Sequence, residues 1–192
     1  WDLGEVTSGD KSVPICEIEL ELKKGNTSAL FDLAKRLVGL LPTSIGTDSK
    51  AARGYNLLDG LSVKKYQQYQ QKQPENMQTD AVVLASLLTT LLQDFQMLSS
   101  EIRRQYSEGL ANNIKQVLIA LVENLAKFNQ HFPCPPLKRI HIQLKTLVND
   151  WSLVTQQNNK DAVCELLNQA QTTQLQLDIV QCLVERPWFS ED

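Results

Sequence analysis

The stretch Pro14-Ile15-Cys16-Glu17-Ile18-Glu19-Leu20-Glu21-Leu22 alternates acidic and apolar residues over most of its length. Successive side chains of a β-strand point to opposite faces. The pattern therefore predicts a strand with Glu17, Glu19 and Glu21 on one face and Cys16, Ile18, Leu20 and Leu22 on the other. Three carboxylates on one wall repel one another unless a cation lies among them. Mg²⁺ or Mn²⁺, which suit hard oxygen ligands, or a lining of Lys and Arg would supply that cation. Read from the residues alone, the alternative is the solvated polar face of an amphipathic edge strand.

On the N-terminal side, residues 1–6 read as another strand, and Thr7-Ser8-Gly9-Asp10-Lys11 supplies the turn between the two. Two such strands make only a marginal sheet in water, so the unit is expected to be cut from something larger. On the C-terminal side, Asn26, Thr27 and Ser28 offer helix caps. Leu30, Phe31, Leu33, Ala34, Leu37, Val38 and Leu41 then follow the helical repeat until Pro42 stops it. The apolar face of this helix is expected to cover the Ile18, Leu20 and Leu22 side of the strand, leaving the glutamates to face the interior of a larger sheet. A second, short helix, capped by Asp48 or Ser49, carries Lys50, Arg53 and Tyr55.

Composition changes over residues 61–79 to Lys, Gln and Tyr, with Gln67, Gln68, Gln70, Gln71 and Gln73 nearly continuous, which reads as a linker. Beyond it the pattern is wholly helical. Helices are expected over 80–105, 108–132, 137–157 and 161–185, the last with a break near Thr172-Thr173, and the short connections suit an antiparallel bundle. The expected fold class is α+β, mostly α. Residues 1–60 supply two to three strands plus helices, and residues 80–192 form the bundle.

The formal charge of −3 divides as 7 basic and 9 acidic residues up to Gly60, then 12 basic and 13 acidic beyond it. Neither part has the basic excess of a general nucleic-acid binder. The longest apolar runs, such as residues 117–122, fall far short of a membrane span, and no charged, then apolar leader opens the chain, so a cytoplasmic protein is expected. Cys16, Cys134, Cys164 and Cys182 stand too far apart for a Cys-x-x-Cys metal site and are expected as reduced thiols. His131 and His141 have no ligand-spaced partners and read as helix-end or surface residues.

Taken together, Asp2-Leu3-Gly4-Glu5-Val6, the acidic strand with Lys23-Lys24-Gly25 after it, and Ser49-Lys50-Ala51-Ala52-Arg53-Gly54-Tyr55 resemble the C-terminal part of a CYTH domain. This is the triphosphate-tunnel metalloenzyme fold, and the closest resemblance is to the bacterial two-domain inorganic triphosphatases in which a helical CHAD domain follows. The resemblance implies a β-barrel tunnel whose inward acids hold Mg²⁺ or Mn²⁺ and whose inward Lys and Arg hold a triphosphate. It implies metal-ligand roles for Glu17 and Glu19, and for Asp2 on the preceding strand. For Glu21 a metal-ligand role and a purely structural one stand equal, since the motif needs only two glutamates. It implies substrate binding by Lys50, with Arg53 as a further phosphate contact. Without it, Lys50 and Arg53 read as ordinary surface charges and Asp2 as a strand-end acid.

The chemistry is coherent, because the several negative charges of a triphosphate need metal and cationic side chains to neutralise its oxygens and orient an attacking water. The family's earlier strands are missing from this sequence. A barrel does not close on two or three strands, so the chain is expected to expose strand edges, to need the missing strands of a parent protein, and to be inactive alone. Residues 80–189 resemble the first half of a CHAD domain, but the stretch 110–117, expected to be basic, contains one Lys and no His. That departure favours packing or partner docking over polyphosphate binding there. A non-catalytic interaction or polyphosphate-binding module is the competing function.

Overall fold

The computed structural model describes residues 1–59, 81–157 and 159–189, so the expected linker over 61–79 lies outside the described residues. Strand β1 (Asp2–Ser8) and strand β2 (Lys11–Glu17) form an antiparallel hairpin, the two strands present among the described residues. Ser8 pairs with Lys11 across a two-residue loop. Gly9 opens that loop at φ +59°, a conformation that tight hairpin turns demand and glycine supplies without strain.

The register runs from Ser8 opposite Lys11 to Asp2 opposite Glu17, where β1 runs out. Here the structure corrects the expected strand. Alternation predicted extended pairing through Leu22, but β2 ends at Glu17, and Glu19 and Glu21 lie past it. A strand needs a ladder partner, and among the described residues none pairs with Ile18 or beyond.

One face of the hairpin carries Asp2, Val6, Val13, Ile15 and Glu17, all half-buried, while Leu3, Glu5, Cys16 and their neighbours on the other face are exposed. Helix α2 (Lys50–Asp59) covers the half-buried face. Ser49 caps it by accepting from the Ala52 amide at 3.1 Å, and Gly54 lies against Val6, where a Cβ would come 3.5 Å from the valine Cγ1. Lys11 donates to the Leu57 carbonyl near the end of α2 at 3.1 Å, a favourable place for a cation.

Helix α1 (Thr27–Leu40) starts at the Asn26 cap, whose side chain accepts from the Ser28 amide, and ends before Pro42. Its expected seat on the apolar side of the strand is not where it packs. It lies instead along α7 (Ala170–Glu185), and Ile18 and Leu22 remain more than one-third exposed. The α1 stripe of Ser28, Phe31, Lys35 and Val38, at helical spacing, carries contacts to α7, with Phe31 and Val38 buried.

Helices α3 (Ala81–Arg104), α4 (Glu108–His131), α5 (Pro135–Gln156), α6 (Lys160–Asn168) and α7 share one continuous core. Their apolar periodicity explains this. Leu88, Leu98 and Phe95 of α3, Ile114, Leu118 and Phe128 of α4 and Ile140 and Trp151 of α5 are all essentially inaccessible. By length and composition α3 could cross a membrane. Its buried stripe from Leu84 to Ile102, packed against α4, is that of a core helix instead. Pro135 and Pro136 open α5, two residues earlier than expected, because proline fits the first turn, where its missing N–H bonds nothing.

The break in the last helical stretch falls at Gln169, not at Thr172-Thr173. Residues from outside the break satisfy its backbone. Arg103 donates to the Leu167 carbonyl, the Asn168 side chain and the Ser99 carbonyl, each at 3.1 Å, and the Thr172 hydroxyl donates to the Leu166 carbonyl at 2.8 Å. Arg103→Ala is expected to lower the unfolding free energy by about 2 kcal/mol, measured by urea denaturation. A loss under about 0.5 kcal/mol would show that the clamp is dispensable.

The four cysteines are free, as expected. Cys16 is exposed and Cys182 is buried, its thiol pushed up to about 12 chiefly by that burial. His131 ends α4, while burial and Lys145 hold the His141 imidazole below its ordinary range.

Candidate functional site

The register places Asp2 directly opposite Glu17 on one face of the hairpin, an arrangement that is unfavourable for two like charges. Glu19, just past the strand, turns its carboxylate to the same place. One oxygen from each of Asp2, Glu17 and Glu19 lies within 4.8 Å of the others. Three carboxylate oxygens this close form the kind of hard-oxygen set that could hold one divalent cation if the side chains drew together.

Two cations from the first turn of α2 meet this cluster. The Lys50 ammonium donates to Asp2, lies 3.1 Å from a Glu19 oxygen and 3.2 Å from Glu17 Oε1. Arg53 donates to Glu17 Oε2 at 2.7 Å. Glu17 is the hub, opposite Asp2 and touched by both cations.

The electrostatics follow from these contacts. The Lys50 hydrogen bond and charge hold the Asp2 carboxyl below its ordinary value. Hydrogen bonds to Asp2, then Glu19 and Glu17, push the Lys50 ammonium up, so it stays charged throughout the neutral range. Three carboxylates against two cations leave one net negative charge. These ion pairs link the hairpin to α2, and the residual negative charge is one that a metal cation could neutralise.

Five of the six residues singled out in the sequence thus converge. Glu21 does not join them; it is exposed and pairs with Lys23 at 2.5 Å. The reading of Arg53 as an ordinary surface charge is replaced by an ion pair with Glu17 on the strand, 36 residues away. What the sequence hid was the brace behind α2. Asp48, considered as a helix cap, meets Arg104 of α3 at 3.5 Å, and the Thr43 carbonyl accepts from the buried Thr173 hydroxyl at 2.9 Å. Neither contact has a local sequence signal.

No protein-family model matches the chain, and no solved structure matches it. Among curated proteins it is similar to an inorganic triphosphatase of Haemophilus influenzae, 42% identical over 57 residues. The match covers 30% of this chain and 16% of that relative's length, so the likeness reaches an inorganic triphosphatase over one segment only.

Proposed function

We propose that this chain contributes one wall of a metal-dependent triphosphatase site that hydrolyses inorganic triphosphate, or another triphosphate-bearing small molecule. The observation that carries the reading is the convergence of Asp2, Glu17 and Glu19 on one point, met by Lys50 and Arg53 from a neighbouring helix. The partial likeness to an inorganic triphosphatase supports it.

In this reading Asp2, Glu17 and Glu19 hold Mg²⁺ or Mn²⁺, with Glu21 outside the ligand set. A metal held there would supply charge neutralisation for phosphate oxygens and for charge moving onto the leaving phosphate. Lys50 and Arg53 are long enough to leave the carboxylates and meet phosphate oxygens, Arg53 as a planar fork and Lys50 as a point charge. Two cations do not balance a triphosphate. Further strands, carrying more Lys and Arg, complete the tunnel in the intact protein. The helical part packs behind this wall, and a CHAD-type role belongs to the same proposal.

The test is phosphate release from tripolyphosphate by the intact protein, with Mg²⁺ or Mn²⁺ and with chelator. Metal-dependent release is expected, and Lys50→Met should raise KM about tenfold, the value of one lost charge-assisted contact to substrate. An intact, folded protein that releases no phosphate with either metal would overturn the reading.

A further inference from the structure

Helix α7 presents a polar stripe to α1 at intervals of three and four residues: Gln174, Asp178, Gln181 and Glu185. The contacts run antiparallel. Ser28 donates to Glu185 at 2.7 Å and Lys35 to Gln181 at 2.6 Å; Lys35 also pairs with Asp178. At Gly39 a Cβ would lie 3.8 Å from the Gln174 amide nitrogen. One step further along the chain, Thr173 donates to the Thr43 carbonyl.

This polar ladder sets one register. An all-apolar seam could slide by a turn, but here a slide would strand the Lys35 ammonium and the Asp178 carboxylate, both largely buried. Buried Phe31 and Val38, on the same α1 stripe, supply the area. The connection from α1 then reaches α2 in nine residues, 41–49, held at Thr43 by α7 and at Asp48 by α3. The residue after Ser49 is Lys50.

We propose that α7, through Asp178 and Thr173, sets where α2 holds Lys50 and Arg53 against Asp2, Glu17 and Glu19. Both are positioning residues: Asp178 meets Lys35 of α1 and, at 4.0 Å, Arg139 of α5, Thr173 meets the connection, and neither touches the carboxylates. The helical part is in this way a jig for the site, and a change in how α7 seats α1 alters the cations that meet substrate. The assignment rests on the proposed function only for what Lys50 and Arg53 bind.

The test is pulsed acetylation of lysine amines in this chain, read by mass spectrometry, comparing wild type with the Asp178→Asn, Thr173→Val double variant. Exposed Lys24 serves as the internal reference. Lys35 should label faster in the variant, showing that the ladder is broken. Lys50 should label about threefold faster relative to Lys24, as expected for weakening an ion-paired contact at a partly exposed site. Amide exchange in α4 should not change.

Faster labelling of Lys35 with Lys50 unchanged would overturn the proposal. If Thr173→Val loosens the core, seen as faster α4 exchange, Asp178→Asn alone is read by the same two lysines with the same outcomes. Failure of the intact protein to hydrolyse tripolyphosphate would end the functional reading and leave the Lys50 result standing. An unchanged Lys50 would end this inference and leave hydrolysis untouched.

Discussion

Trp151→Ala is expected to lower the unfolding free energy by about 4 kcal/mol and the melting temperature by about 10 °C. Trp151 is fully buried in α5, and its indole N–H donates to the Ala111 carbonyl of α4 at 3.1 Å. Removing it leaves a cavity between helices, where Ile114 and Leu147, each one turn from the Ala111–Trp151 contact on α4 and α5, are themselves buried and leave little room to collapse inward. It also deletes a hydrogen bond that ties two helices, a smaller loss of about 1 kcal/mol. Trp151→Phe separates the terms, keeping most of the ring volume and losing the donor, and should cost about 2 kcal/mol. Denaturation of both variants by urea, followed by circular dichroism, gives the two values. Equal losses would mean that the hydrogen bond, not the packing, dominates.

The long helices were legible because their physics is local. Leu84, Leu88, Leu91, Phe95 and Leu98 repeat at helical spacing, and every one is buried. The Asn26 cap and the stop at Pro42 were equally local, and α1 begins and ends there. What failed was the assignment of partners. The stripe through Phe31 and Val38 announced a buried face but not which surface buries it, and α7 takes it although 129 residues separate the end of α1 at Leu40 from the start of that helix.

The acidic strand failed in a related way. Alternation reports what a strand would look like if paired, and pairing depends on where β1 ends. Glu17 and Glu19 nevertheless reach one point, because Glu17 closes the ladder and Glu19 follows it closely. Glu21, one repeat further from the last paired residue, points to Lys23. The Gln169 break carried no Gly or Pro, and it is sustained by Arg103, 66 residues earlier. Residues this far apart meet through tertiary packing, which no window of sequence displays.

On the proposed reading, Glu17→Gln is expected to lower tripolyphosphate hydrolysis by the intact protein about hundredfold or more, the largest functional effect of any single change at the site. Glu17 is central for three reasons that act together. It sits directly opposite Asp2, it accepts from Arg53, and Lys50 lies 3.2 Å from it. The amide keeps the shape and removes the charge. On that reading a metal then loses an anionic ligand, and Arg53, four-fifths buried, loses its carboxylate partner. Glu19→Gln should weaken hydrolysis less, because Glu19 is mostly exposed and shares only Lys50. Glu21→Gln, outside the cluster, should stay within about twofold of the parent, as surface changes do. The order of loss, Glu17 above Glu19 above Glu21, distinguishes a cluster with a hub from a row of equivalent acids. Mn²⁺ titration followed by electron paramagnetic resonance should rank the three variants in the same order. Equal losses in all three would return the acids to one uniform polar wall and remove Glu17 from its central place.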